Sequence, residues 1–96
     1  MKMKVYDKEF EVELLSFEDN SSNGSIFRKV SFTVRGELYH YTYSGGAMMA
    51  LTAVVKENRE TNNCDEVYSS WKHIPDGSYY SEIGRRLSVE HRTLIN

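Results

Sequence analysis

The sequence predicts a small α+β domain: an antiparallel four-stranded sheet of two hairpins, with two or three helices packed on one face. Three observations predict it. Apolar residues alternate near the N-terminus and again through Phe27–Tyr43, the period of half-buried strands. After Ser44 the apolar spacing becomes helical. Ninety-six residues with one proline and 12% aromatics allow one compact domain, residues 1–96, with a modest core.

The first hairpin is read from its charges. A two-residue turn at Asp7-Lys8 pairs Val5 with Phe10 and Met3 with Val12 on one face. The same register sets Lys4 opposite Glu11 and Lys2 opposite Glu13 on the other. Opposite charges facing each other across strands contribute roughly 0.2–1 kcal/mol each. At Leu14-Leu15 the alternation changes phase, which marks a bulge or the strand's end. Residues 18–25, Glu-Asp-Asn-Ser-Ser-Asn-Gly-Ser, read as a loop without the ligand spacing of a calcium site.

Phe27–Arg35 and Glu37–Tyr43 form the second hairpin about Gly36. A two-residue turn there puts Tyr39, Tyr41 and Tyr43 on the face of Val30, Phe32 and Val34, packing the tyrosines inward. Ser44 then caps a helix whose stripe is Ala47, Met48, Leu51, Val54 and Val55. Asn63, with Glu66 three residues on, opens a second helix that carries Cys64, Val67, Tyr68 and Trp71 to Pro75. Ser78–Ile95 forms a third helix burying Tyr79, Ile83, Leu87 and Leu94, or ends in an edge strand at Arg92–Ile95.

Charge and composition bound the function. The net charge is −2. Residues 1–27 hold three lysines against six acids, residues 28–60 five cations against three, and residues 61–96 four against five. Such balance argues against nucleic acid, although Arg85-Arg86 with nearby aromatics is the best cationic cluster. One cysteine, Cys64, and the lack of an apolar N-terminal run point to the cytoplasm. No apolar stretch is long enough to cross a membrane as a helix.

Chemistry-bearing patterns are sparse. Isolated histidines 40, 73 and 91 make no metal set, and Cys64 lies on an apolar stripe as a small hydrophobe. No cofactor and no catalytic residues are expected. The glycine turn Ser44-Gly45-Gly46-Ala47 offers a small anionic or nucleotide-like ligand the unpaired N–H groups of a helix start. Tyr, Trp and Arg dominate protein-interface hot spots. A partner-binding patch is therefore expected at Trp71, His73, Tyr79, Tyr80, Arg85 and Arg86.

The function expected is non-enzymatic: contacting another protein to occlude or regulate it, in the manner of small inhibitors that phages and mobile elements aim at host machinery or defence. The alternative is the anion binder at Ser44–Ala47. An exposed strand edge or aromatic patch also allows a homodimer.

Overall fold

Short turns carry this chain from each strand into its antiparallel neighbour. The computed structural model describes residues 1–22, 24–46 and 49–95, with side chains described through residue 90. Among these, six strands form one sheet in sequence order: β1 (Lys2–Val5), β2 (Lys8–Asp19), β3 (Ile26–Val34), β4 (Glu37–Gly45), β5 (Ala50–Asn58) and β6 (Asn63–Ser69). One helix, α1 (Gly77–Ile95), follows and lies across a single face.

The four-stranded sheet with two or three helices is thus corrected to a six-stranded sheet with one helix. The two missing helices are β5 and β6. Leu51, Val54 and Val55 fit a helical stripe, but residues 50–58 also alternate. Thr52 and Val54 face α1, while Leu51, Ala53 and Val55 face away. Thr52, Val54 and Val55 are β-branched, stiff at χ1 and better placed on a pleated surface. Asn63, expected to cap the second helix, is instead the first residue of β6, and Asn62 closes the turn from β5. Asn62 adopts φ 57°, a left-handed conformation that asparagine tolerates better than most residues.

The second hairpin has the expected register. Arg35 and Gly36 carry φ values of 52° and 81°, as a type I′ turn requires, and Phe32, Val30 and Arg28 pair with Tyr39, Tyr41 and Tyr43. Tyr39 and Tyr41 are only 2% and 5% exposed, and Tyr43 packs against the core edge. The first hairpin turns one residue earlier than expected, at Tyr6-Asp7. Met3 therefore faces Phe10, and the charge pairs become Lys4–Glu9 and Lys2–Glu11. The shift keeps every side chain on its expected face, because both registers preserve the period of two. Past the bulge at Leu15 the strand continues to Asp19, so Glu18 and Asp19 lie in β2 rather than in a loop.

The core fills the space between α1 and the sheet: Met3, Val5, Phe10, Val12, Val30, Phe32, Val34, Tyr39, Tyr41 and Val54 below, Ile83 and Leu87 above. Gly84 lets the helix settle here. A Cβ on it would overlap the Cβ, Cγ and Cδ2 atoms of Tyr41. Gly77 starts the helix against β6, where a Cβ would overlap the carbonyl oxygen of Val67. The tail helix is present and runs through Ile95, so the edge strand at Arg92–Ile95 is not formed. The expected burial of Leu94 lies outside the described side chains. No helix among the described residues is long and apolar enough to cross a membrane.

Candidate functional site

A meander of antiparallel strands sends its turns alternately to two ends. The turns at residues 6–7, 35–36 and 59–62 share one end. The β2–β3 and β4–β5 connections, and the exit of β6, share the other. This second end exposes large apolar side chains. Ile26, Phe27, Met49 (54% exposed) and Trp71 (69% exposed) all lie there. Phe27 faces Ser44 and Ser44 faces Leu51, in one row across β3, β4 and β5.

Trp71 is held by local hydrogen bonds rather than by packing. Ser70 Oγ donates to the carbonyl oxygen of Thr52 and accepts its N–H, at 3.0 and 2.8 Å. Ser69 Oγ accepts the Trp71 N–H at 3.2 Å. These bonds fix the backbone of the loop between β6 and α1 and leave the indole in water. Beside it lies a depression of about 430 Å³, lined by Tyr68 and Ser69 from β6, by Ser70, Lys72, His73, Ile74 and Asp76 from the loop, and by Ser78 at the start of α1. Lys72 forms an ion pair with Glu66 at 3.3 Å.

The six residues expected to form one partner-binding patch are divided by the structure. Trp71 and His73 line this depression together. Tyr79 and Tyr80 belong to the core edge. Tyr80 stacks on Tyr39 with ring centroids 4.6 Å apart, and Tyr79 packs edge-on to Tyr6 and over Phe10. The Tyr79 hydroxyl donates to Asp7 Oδ1 at 2.5 Å, which holds that carboxyl below its ordinary value near 3.8 and raises the phenol. Arg86 ties α1 to the first hairpin, donating from Nη1 to the Lys4 carbonyl oxygen at 2.6 Å and from Nε to Glu82 at 3.1 Å. Arg85 is exposed and also paired with Glu82, whose carboxyl it lowers. Sequence spacing could not separate these roles, because Trp71 and His73 lie on a loop and the other four on α1.

The glycine-turn ligand site loses its physical basis. Ser44 and Gly45 belong to β4, and Gly46 N–H donates to the Met49 carbonyl oxygen within a hairpin turn. Among the described residues no helix starts there, so the helix-start N–H groups and dipole that the site was read from are not found. Ala47 lies outside the described residues.

One constellation was missed in the sequence. On the face not covered by α1, Ser31 Oγ and His40 Nδ1 lie 2.8 Å apart, and His40 Nε2 lies 3.6 Å from Glu57 Oε2. The signal was available: the two-residue turn at Gly36 makes Ser31 and His40 direct cross-strand neighbours. The order Ser–His–Glu is that of a nucleophile, its base and the base's orienting acid. The setting differs from that of a hydrolase. Ser31 is 7% exposed and sits mid-strand between two paired neighbours, so its N–H is committed to the ladder rather than to a developing oxyanion. The trio is a polar chain that satisfies a nearly buried hydroxyl. Cys64 is exposed, not buried on an apolar stripe as expected. No group of three or more metal-ligating side chains is found among the described residues.

Comparison with protein-family models, with curated proteins and with solved structures found no match to this chain.

Proposed function

We propose that the chain is a non-enzymatic binding domain that contacts another protein through the loop between β6 and α1, with Trp71 as the anchor. The observation that carries this reading is a tryptophan 69% exposed on a loop whose backbone is fixed by hydrogen bonds. An indole in water adds nothing to the core, whereas a rigid aromatic anchor loses little conformational entropy on docking. Met49 and Phe27 add exposed apolar surface at the same end of the sheet, and Lys72, His73 and Asp76 give the depression a polar rim. Occlusion or regulation of the bound protein is the mode we favour. The reducing cytoplasm suits the exposed thiol of Cys64.

The test is quantitative affinity capture with isotope-coded baits, wild type against Trp71→Ala. Specific partners should be depleted about tenfold or more with the variant, the usual cost of removing an interface anchor. Partners captured equally by both baits would refute the reading. Sedimentation of the chain alone separates the homodimer: if the partner is a second copy, wild type associates with concentration and Trp71→Ala does not.

A further inference from the structure

A second cleft, of about 220 Å³, opens between α1 and the covered face of the sheet. Its floor is a row across three strands, Arg28 from β3, Tyr43 from β4 and Thr52 from β5, with Tyr41 one step deeper. Its roof is one stripe of α1, where Ser81, Arg85 and Ser88 recur at helical spacing. The lining therefore brings two guanidinium groups and five hydroxyls to one space, and no carboxylate of the described residues lines it.

Both arginines keep hydrogen-bonding capacity. Arg28 uses Nε on Asp19 at 3.4 Å, a long contact. Arg85 uses Nε and Nη2 on Glu82. Both terminal nitrogens of Arg28 and Nη1 of Arg85 have no hydrogen-bond partner among the described residues. Burial raises the Tyr41 phenol, and the charges of Arg85 and Arg28 partly offset that rise. A half-enclosed site with two positive charges and donor hydroxyls suits an oxyanion, which guanidinium groups bind through parallel hydrogen bonds. The volume lies below the roughly 300–1,000 Å³ of sites for drug-sized ligands, which restricts the occupant to one small group.

We propose that this cleft binds a phosphate-sized oxyanion, either inorganic phosphate or the phosphoryl group of a small phosphomonoester. The site is separate from the Trp71 depression; its lining shares no residue with it. The experiment is a backbone NMR titration of the wild-type chain at constant ionic strength, with inorganic phosphate in one arm, glycerol phosphate in a second and chloride in a third. Saturable shifts should centre on Arg28, Tyr43, Thr52, Ser81, Arg85 and Ser88 in the phosphate arms and be absent with chloride. Tighter binding of glycerol phosphate identifies the monoester as the ligand class; equal or weaker binding identifies free phosphate. Arg85→Gln, at an exposed position, and Arg28→Lys, which keeps the charge but removes the fork, should each weaken binding by about tenfold, the loss of a charge-assisted hydrogen bond. Three results would each overturn the proposal: no saturable shift with either phosphate, shifts centred on the lysines of the first hairpin, or unchanged affinity in both variants with the wild-type spectrum otherwise retained.

Discussion

The two ends of the sheet use aromatic side chains in opposite ways. At the end that carries the turns at residues 6–7 and 35–36, aromatics are tied together: Tyr80 on Tyr39, Tyr79 on Phe10 and Tyr6, and the Tyr79 hydroxyl on Asp7. Arg86 adds a bond from α1 to the Lys4 carbonyl oxygen. At the other end Trp71 and Met49 stand in water on backbone that is itself well bonded. The first end closes the fold, and the second leaves rigid apolar surface available for a partner. Two aromatic side chains eight residues apart in sequence thus differ in setting: Trp71 stands in water, and Tyr79 joins the contacts that close the fold.

That contrast can be broken by substitution, and the largest effects belong to the interior. Phe32→Ala removes a fully buried ring beneath α1 and should cost about 3–5 kcal/mol in urea unfolding, a large share of the roughly 5–15 kcal/mol available to a small domain. Gly84→Ala comes next. Alanine gains up to about 1 kcal/mol in helix propensity, yet its Cβ would meet atoms near the Tyr41 backbone, which cannot swing aside. Overpacking of this kind costs about 1–3 kcal/mol. A net loss of stability is therefore expected; a melting temperature above wild type would show that α1 sits less tightly on β4 than described.

The closed end should also respond to acid. Tyr79 holds the Asp7 carboxyl below its ordinary value, and Arg85 and Arg86 do the same for Glu82. A carboxyl depressed in the folded state contributes stability that is complete above its unfolded value, near 3.8 for Asp7, and is lost as pH falls through the folded value. Tyr79→Phe should therefore flatten the fall of the melting temperature below about pH 4 while leaving partner capture intact. An unchanged acid profile would remove Tyr79–Asp7 from the closing contacts. The smallest effect is expected at the open end: Trp71→Ala should change unfolding free energy by no more than about 0.5 kcal/mol.

The second hairpin is legible in the sequence from its turn and alternation, and the body of the tail helix from its spacing, although Arg92–Ile95 also reads as an edge strand. Gly36 set a two-residue turn, and Ile83 and Leu87 matched only a helical period. Residues 50–58 match two periods at once, and the helical stripe through Leu51, Val54 and Val55 competes with the β-branching of Thr52, Val54 and Val55, which favours a strand. β6 is misread for a separate reason: Asn63 with Glu66 three residues on has the pattern of a helix start, and Cys64, Val67, Tyr68 and Trp71 fit a helical stripe. The helical reading after Ser44 also created the glycine-turn anion site, which existed only as a helix start. Trp71 was identified from residue type alone, but its exposure depends on where β6 ends, at Ser69, and no local pattern marks that point. The Arg28–Tyr43–Thr52 row depends on pairing between β4 and β5 and was invisible once β5 was read as a helix.

The chain holds a single tryptophan, which makes the open end directly observable. Substituting 5-fluorotryptophan places one fluorine reporter at Trp71. The account predicts one ¹⁹F resonance that moves with the H₂O/D₂O ratio as a solvent-exposed indole does, and that shifts and loses this solvent dependence when a captured partner is added. A resonance insensitive to solvent in the free protein, or one unmoved by a partner that binds, would contradict the claim that Trp71 is the anchor.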